Sequence, residues 1–272
     1  MIEKSIFIMG ILNNTPNSFY DGGFHAGEKA LLAKAEKMIS EGADIIDIGG
    51  FSTKPNCEIV SEAEERHRVI PLVRTIKNLF PDIMISVDTF RSNIAEASIE
   101  AGATIINDIS GSQFDEKIID VVARCKQVLY VMMHCAESID KMHNMNHEGE
   151  DITEVVKRFF EEKLFLFQSK GIENKRIILD PGFGFGKTIP QNYQLLRYLN
   201  TFAKMGDTLA GLSRKSMIYK TLKITPQEAL QGTVALNMIA LMNGAKYLRV
   251  HDVKEAKEVV ALYYAYENRN NE

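Results

Sequence analysis

The residues of this chain that could do chemistry stand at the ends of short apolar runs. Asn13-Asn14-Thr15-Pro16, Asp47-Ile48-Gly49-Gly50, Asp88-Thr89, Asn107-Asp108, His134, Asp180-Pro181-Gly182, Ser213-Arg214-Lys215 and His251-Asp252 each follow such a run. Asp and Asn in these places also cap helices, which accounts for one or two of them. It does not account for Lys215, Arg249 and His251, which make poor caps, so the groups read as one shared site. Asp88, Asn107 and Asp180 bring two carboxylates and an amide, suited to the donor-rich edge of a guanidine-like heterocycle. Lys215, Arg249 and His251 are cationic or can become so, and suit a phosphate or pyrophosphate. Asn13 adds a neutral oxygen, enough for a magnesium ion held mainly through substrate phosphates. Together they describe a pocket for a small heterocycle with a phosphorylated arm.

Bringing these groups together requires strands that end on one face. Eight apolar, β-branched runs qualify: Ser5–Ile11, Asp44–Ile48, Met84–Val87, Thr104–Ile106, Val128–Met133, Arg176–Leu179, Thr208–Leu212 and Tyr247–Val250. Each is too short for a helix and too continuous for a half-exposed strand, as expected of parallel strands buried on both faces. Helical patterns lie between them, at Glu28–Glu41, Glu62–Leu79, Ser92–Ala101, Glu116–Cys125, Ile152–Lys170, Asn192–Phe202, Pro226–Asn243 and Lys254–Glu267. Gly42, Gly102, Gly171 and Gly244 close four of them. Strict alternation predicts an α/β fold, a (β/α)8 TIM barrel forming a single domain over residues 1–272, with its site at the C-terminal strand ends. Two long loops rich in Gly, Ser and Thr, Asn14 to Gly27 and Gly49 to Cys57, read as closing lids.

Composition narrows the class. The 272 residues are 45% hydrophobic and 25% charged with a net charge of −4, which excludes disorder and gives no footprint for nucleic acid. Three cysteines, none in a CxxC pair, exclude a disulfide scaffold and point to a reducing, cytoplasmic compartment. No apolar run is long enough to span a membrane, and the first residues lack a cleavable signal pattern. Asp180-Pro181-Gly182-Phe183-Gly184-Phe185-Gly186-Lys187-Thr188 imitates a nucleotide P-loop, but Pro181 stands where its first glycine belongs and Pro190 is expected to interrupt the following helix. His134, His143 and His147 with Cys135 match no common zinc spacing. Ser213 has no evident His and acid partners for acyl transfer.

In their order along the chain, these motifs resemble dihydropteroate synthase, the folate-pathway enzyme. Met9-Gly10-Ile11-Leu12-Asn13 with Thr15-Pro16, Ser18-Phe19 and Asp21-Gly22-Gly23 is similar to the first family signature. Gly42 to Gly50 with Ser52-Thr53 and Pro55 is similar to the second. Val87-Asp88-Thr89, Ile106-Asn107-Asp108-Ile109, Met133-His134, Asp180 to Lys187, Ser213-Arg214-Lys215 and Arg249 to Val253 complete the set. No single motif is specific; eight in the right order are.

The resemblance implies that 6-hydroxymethyl-7,8-dihydropterin diphosphate is joined to 4-aminobenzoate, giving 7,8-dihydropteroate and pyrophosphate. It implies pterin binding by Asp88, Asn107, Met133, Asp180 and Lys215, with Asp88, Lys215 and Asp180 catalytic. It places aminobenzoate at Thr53, Lys54, Pro55, Phe185 and Ser216, pyrophosphate at Asn13, Arg249 and His251, and Mg2+ on Asn13. A homodimer and a sulfonamide target are implied by the resemblance alone. The chain departs from the family at Asn17 (usually Asp), Tyr20 (often Ser), Phe51 (usually Glu) and Lys54 (Arg), and Cys135-Ala136-Glu137-Ser138 lacks the usual Gly and Pro. Two other readings use the same pocket: a catalytically altered pterin-binding paralogue, and a corrinoid-linked pterin methyltransferase. Pyrophosphate has no place in the latter, so Lys215, Arg249 and His251 argue against it.

Overall fold

The computed structural model describes residues 6–14, 23–51, 60–136 and 149–267. Within them the chain runs β1 (Phe7–Asn13), α1 (Gly23–Ser40), β2 (Ile45–Gly49), α2 (Glu62–Leu79), β3 (Met84–Asp88), α3 (Ser92–Glu100), β4 (Ile105–Asp108), α4 (Lys117–Arg124) and β5 (Leu129–Met133). It continues α5 (Ile152–Ser169), β6 (Ile177–Asp180), α6 (Ile189–Arg197), α7 (Leu199–Ala203), β7 (Asp207–Ala210), α8 (Ser216–Leu222), α9 (Leu230–Met242), β8 (Tyr247–Val250) and α10 (Val253–Tyr266). Every neighbouring pair of strands is parallel, and β8 returns to β1, so the sheet closes into the expected (β/α)8 barrel. Gly42, Gly102, Gly171 and Gly244 take left-handed backbones just past α1, α3, α5 and α9, as their positions predict.

Residue parity explains why continuous apolar runs make these strands. Ile8, Ile46, Ile85, Ile106, Tyr130, Leu179 and Leu248 point outward and pack with the helices in the main core. Met9, Ile45, Ile105, Val131, Ile178, Leu209 and Tyr247 point inward and form a separate apolar plug, joined by Phe7, Met84 and Leu129. Side chains alternate faces along a strand, so the inward positions two residues further on are Ile11, Asp47, Ser86, Asn107, Met133, Asp180 and Arg249. The barrel therefore places a mostly polar layer directly above an apolar one.

The structure departs from the expected elements in three places. The pattern 192–202 is two helices, α6 and α7, hinged at Tyr198. Helix α8 was not expected, because its seven residues carry too little periodicity to read. Pro190 does not interrupt a helix; it lies in the first turn of α6, where a missing N–H costs nothing, and Thr188 with Gln191 forms a capping box before it.

Candidate active site

At the barrel's C-terminal mouth, Asp47 collects side chains from three other strands. Ser86 Oγ donates to Asp47 Oδ1 at 2.6 Å, and Asn107 Nδ2 lies 3.2 Å from Oδ2. Arg249 reaches across from β8 and donates to Asp47 Oδ2 through Nε at 2.7 Å, with Nη2 at 2.6 Å. The same Nη2 donates to Asp88 Oδ2 at 2.8 Å. The other oxygen, Asp88 Oδ1, is buried and has no hydrogen-bond partner among the described residues. On the opposite wall Asp180 Oδ1 accepts the Gly182 N–H at 2.8 Å, and Asp180 lies beside Met133 in register.

Above this network opens a cleft of about 600 Å³. Of the residues singled out in the sequence, Asn13, Asp88, Phe185, Lys215, Ser216, Arg249 and His251 line it. Asn107, Met133 and Asp180 lie deeper, each no more than 6% exposed. Thr53, Lys54, Pro55, Asn17 and Tyr20 lie outside the described residues. Met133 and Phe185 belong to a small apolar cluster at the mouth with Phe51, Phe90, Ile109, Cys135 and Phe114. Phe51 meets Phe90 edge-on at 5.8 Å, and Phe90 meets Phe114 likewise at 5.5 Å, so the Phe51 departure supplies an aromatic wall to the cleft.

The β6–α6 loop shapes the remaining wall. Gly182 takes φ +71°, and a Cβ there would lie 2.1 Å from the His134 carbonyl oxygen, so only glycine fits. Lys187, which sequence reasoning left without a role, buries its ammonium among the carbonyls of His134, Gly182 and Phe185 at 3.2, 2.9 and 3.1 Å. A P-loop lysine would face phosphate instead. Lys215 donates to the Phe183 carbonyl, and its Nζ lies 5.1 Å from the Phe185 ring centroid. Arg214, in a left-handed conformation, pairs with both Asp252 oxygens at 2.9 Å and leaves the anion side to its neighbours. Ser213 Oγ accepts the His251 N–H at 3.2 Å.

Two strand-end groups face away from the site. Asp108 has outward parity and accepts from Tyr130 Oη at 2.6 Å and from Ser110 and Ser112. His134 lies edge-on to Phe159 of α5 at 5.0 Å. His143 and His147 lie outside the described residues, and among those described no three His, Cys, Asp or Glu residues gather to hold a metal.

Burial pushes the Asp88 carboxyl up to about 7, with Arg249 pulling it down and Asp47 adding to the rise. Burial also raises Asp180, against the opposing charge of Lys215. Lys215 is pulled down to about 8 by burial, partly offset by Asp180. Burial works against the Arg249 charge, but Asp47 and Asp88 hold its pKa above the ordinary value. Arg249, which reads in the sequence as an anion ligand, lines the cleft and is also paired inward with Asp47 and Asp88.

Magnesium demands oxygen ligands and keeps several from water or substrate. Asn13 offers one carboxamide oxygen at the cleft. Gly49 leaves that oxygen uncovered, since a Cβ there would stand 3.1 Å from Asn13 Oδ1. The donor set fits an ion carried largely by a diphosphate, and does not fit a metal caged by protein alone.

A closed parallel barrel with buried carboxylates beneath a cationic cleft at the strands' C-terminal ends is the architecture of a (β/α)8-barrel enzyme. The family model for pterin binding enzymes matches residues 9–251. Dihydropteroate synthase of Clostridium beijerinckii is 42% identical over 257 residues, covering 93% of this chain and 91% of that protein. The folic acid synthesis protein fol1 of Pneumocystis carinii is 42% identical over 259 residues; the chain spans 35% of its length. Among solved structures, a Clostridium difficile dihydropteroate synthase determined in the presence of pteroic acid has a TM-score of 0.90 at 37% identity, covering 97% of both chains. A Xanthomonas albilineans dihydropteroate synthase with 4-aminobenzoic acid has a TM-score of 0.88 at 36% identity, covering 96% of this chain and 93% of that one. The chain belongs to the pterin binding enzyme family, among its dihydropteroate synthases, which are transferases.

Proposed function

We propose that the protein joins 6-hydroxymethyl-7,8-dihydropterin diphosphate to 4-aminobenzoate, forming 7,8-dihydropteroate and releasing pyrophosphate. The observation that carries this reading is the contact between Asp88 and Arg249 at one mouth, a buried carboxylate with an open oxygen beside a cation facing the cleft. Asp88, Asn107 and Asp180 take the pterin edge, with Met133 packed against the ring. Lys215 stands between pterin and aminobenzoate. Phe185 and Ser216, together with Thr53, Lys54 and Pro55, take the aminobenzoate.

The bond from the pterin methylene carbon to the diphosphate oxygen breaks, and its electron pair leaves with pyrophosphate. The amine nitrogen bonds to that carbon and its surplus proton passes to solvent. Asp88 stabilises positive charge developing on the pterin, while Arg249 and His251 meet the departing anion. Mg2+, held by Asn13 and the diphosphate, would neutralise part of the leaving charge. The aromatic wall of Phe51 and Phe185 keeps water from competing with the amine. No side chain serves as nucleophile.

Purified protein given Mg2+ and both substrates should release pyrophosphate in step with dihydropteroate. No release overturns the proposal. Pterin binding without release then identifies the altered paralogue, and methyl transfer to a corrinoid identifies the methyltransferase.

A homodimer and a cytoplasmic setting belong to the same proposal. Ile239 and Met242 on α9 and Leu262 and Tyr266 on neighbouring α10 are at least 41% exposed, an apolar surface suited to a second copy. Sedimentation at micromolar concentration should give twice the chain mass; a monomer overturns that part. The low cysteine count supports a reducing compartment, and no described helix is long and apolar enough to cross a membrane.

A further inference from the structure

Asp47 does not line the cleft and meets the site only through the side chains it binds. It is fully buried, yet Ser86, Asn107 and Arg249 converge on its two oxygens from β3, β4 and β8. A carboxylate buried this way is a poor choice for stability, because desolvation offsets much of what its ion pair contributes. Two geometric consequences explain its presence.

The first concerns Asn107. A carboxylate facing a guanidinium accepts hydrogen bonds and does not donate them, so Asp47 can hold only the nitrogen end of the Asn107 amide. The amide oxygen is then the end left for a ligand. The second concerns Asp88. Arg249 donates through Nε to Asp47 Oδ2, and its Nη2, 2.6 Å from the same oxygen, is left to donate to Asp88, which fixes the guanidinium plane. From that position Nη2 occupies Asp88 Oδ2 and leaves Oδ1 open. Which oxygen of Asp88 a ligand meets therefore follows from where Asp47 holds Arg249. Ser86 in turn fixes the Asp47 carboxylate itself.

We propose that Asp47 is a positioning residue that sets the Asn107 amide, the open oxygen of Asp88 and the Arg249 guanidinium in one fixed relation, so that heterocycle and anionic arm are bound as a unit. This rests on the function proposed above. A purely structural carboxylate would support both substrates alike. Asp47 instead acts on the pterin diphosphate and leaves the aminobenzoate wall, built by Phe185, Ser216 and the β6–α6 loop, untouched.

The test begins with unaltered protein, titrated calorimetrically with 6-hydroxymethylpterin and with magnesium pyrophosphate. Failure of both to bind counts against the function itself and not against Asp47. With binding in hand, Asp47→Asn is expected to raise the pterin dissociation constant and the KM for pterin diphosphate about tenfold or more. The KM for 4-aminobenzoate should stay within about twofold, since its contacts do not pass through Asp47. The effect should shrink in an Asn107→Ala background, because part of it runs through that amide. Ser86→Ala keeps the ion pair and only frees the carboxylate, so it should move the same constants the same way by about threefold. It carries the test if Asp47→Asn does not fold. Wild-type constants in a folded Asp47→Asn, an equal loss for both substrates, or additivity with Asn107→Ala would each overturn the proposal. If only Ser86→Ala folds, unchanged pterin constants in it would do so.

Discussion

Two layers of the barrel interior, one residue pair apart on the same strands, have opposite chemistry. Ile45, Ile105, Ile178 and Tyr247 form the dry plug, and Asp47, Asn107, Asp180 and Arg249 stand two residues above them. Burial does not separate the layers: Ile178 is 1% exposed and Asp180 6%. The difference lies in what satisfies each. Apolar side chains need only close packing, whereas each buried charge above them needs a partner or a ligand. The plug seals the floor, so hydrogen bonds made at the mouth are not shared with water from below. Two residues above Ser86, Asp88 adds a buried oxygen, Oδ1, that has no hydrogen-bond partner among the described residues.

The comparison breaks if the two layers respond alike to substitution. Asp180→Ala should weaken 6-hydroxymethylpterin binding roughly 1,000-fold, because the ring's donor edge would be buried without its acceptor. The midpoint of chemical unfolding should change little or rise, since a desolvated carboxylate is removed. Calorimetry and denaturant titration check the two halves separately. Ile178→Ala, two residues below, should do the reverse. It should lower stability by about 2–5 kcal/mol through the cavity it leaves, with pterin affinity within a few-fold of wild type. Retained pterin binding in Asp180→Ala would remove that residue from the pocket.

A smaller and graded effect comes from pH. If ionised Asp88 receives the pterin and protonated Lys215 faces the cleft, kcat/KM for pterin diphosphate is bell-shaped. Asp88 is held up to about 7, so activity falls up to about tenfold per pH unit below that value as the carboxyl takes a proton. Lys215 is held down to about 8, so activity falls again above that value as the ammonium loses its proton. Lys187 is pulled down to about 7, but its bonds to the loop carbonyls need the charged ammonium, so its titration would weaken the site as pH rises and cannot produce the acid limb. Asp88→Asn should abolish that limb while Lys187→Met leaves it in place. An acid limb that survives in Asp88→Asn assigns it to another group.

The fold was readable because burial on both faces makes a continuous apolar run, and glycines mark the helix ends. The short α8 and the break at Tyr198 were not readable, since neither leaves a periodic signal. In the site, residue types were legible and partnerships were not. Arg249 reads as an anion ligand, yet its partner Asp47 is 202 residues distant in sequence and meets it only once the barrel closes. Asp108 and Asn107 are adjacent in the chain and both polar, and strand parity alone sends one to the helices and the other to the site. The segment ending in Lys187 imitates a phosphate loop that Pro181 already argues against, and Lys187 folds that loop from within.

The smallest expected effect lies outside both layers, at Lys54. The resemblance places this residue against aminobenzoate, whose carboxylate a guanidinium meets with two parallel donors and an ammonium with one point charge. Lys54→Arg should therefore lower the KM for 4-aminobenzoate by about threefold or raise kcat by a similar factor, the scale of one solvent-screened ion pair. The KM for pterin diphosphate should not move, because that substrate is held by the polar layer. Steady-state kinetics with each substrate varied in turn separates the two. A parallel change in both constants would mean the loop and the barrel interior act as one unit, and the division drawn between fixed interior and second-substrate wall would fail. No change in either would place the aminobenzoate carboxylate away from Lys54 and leave Phe185, Ser216 and the loop glycines to bind it.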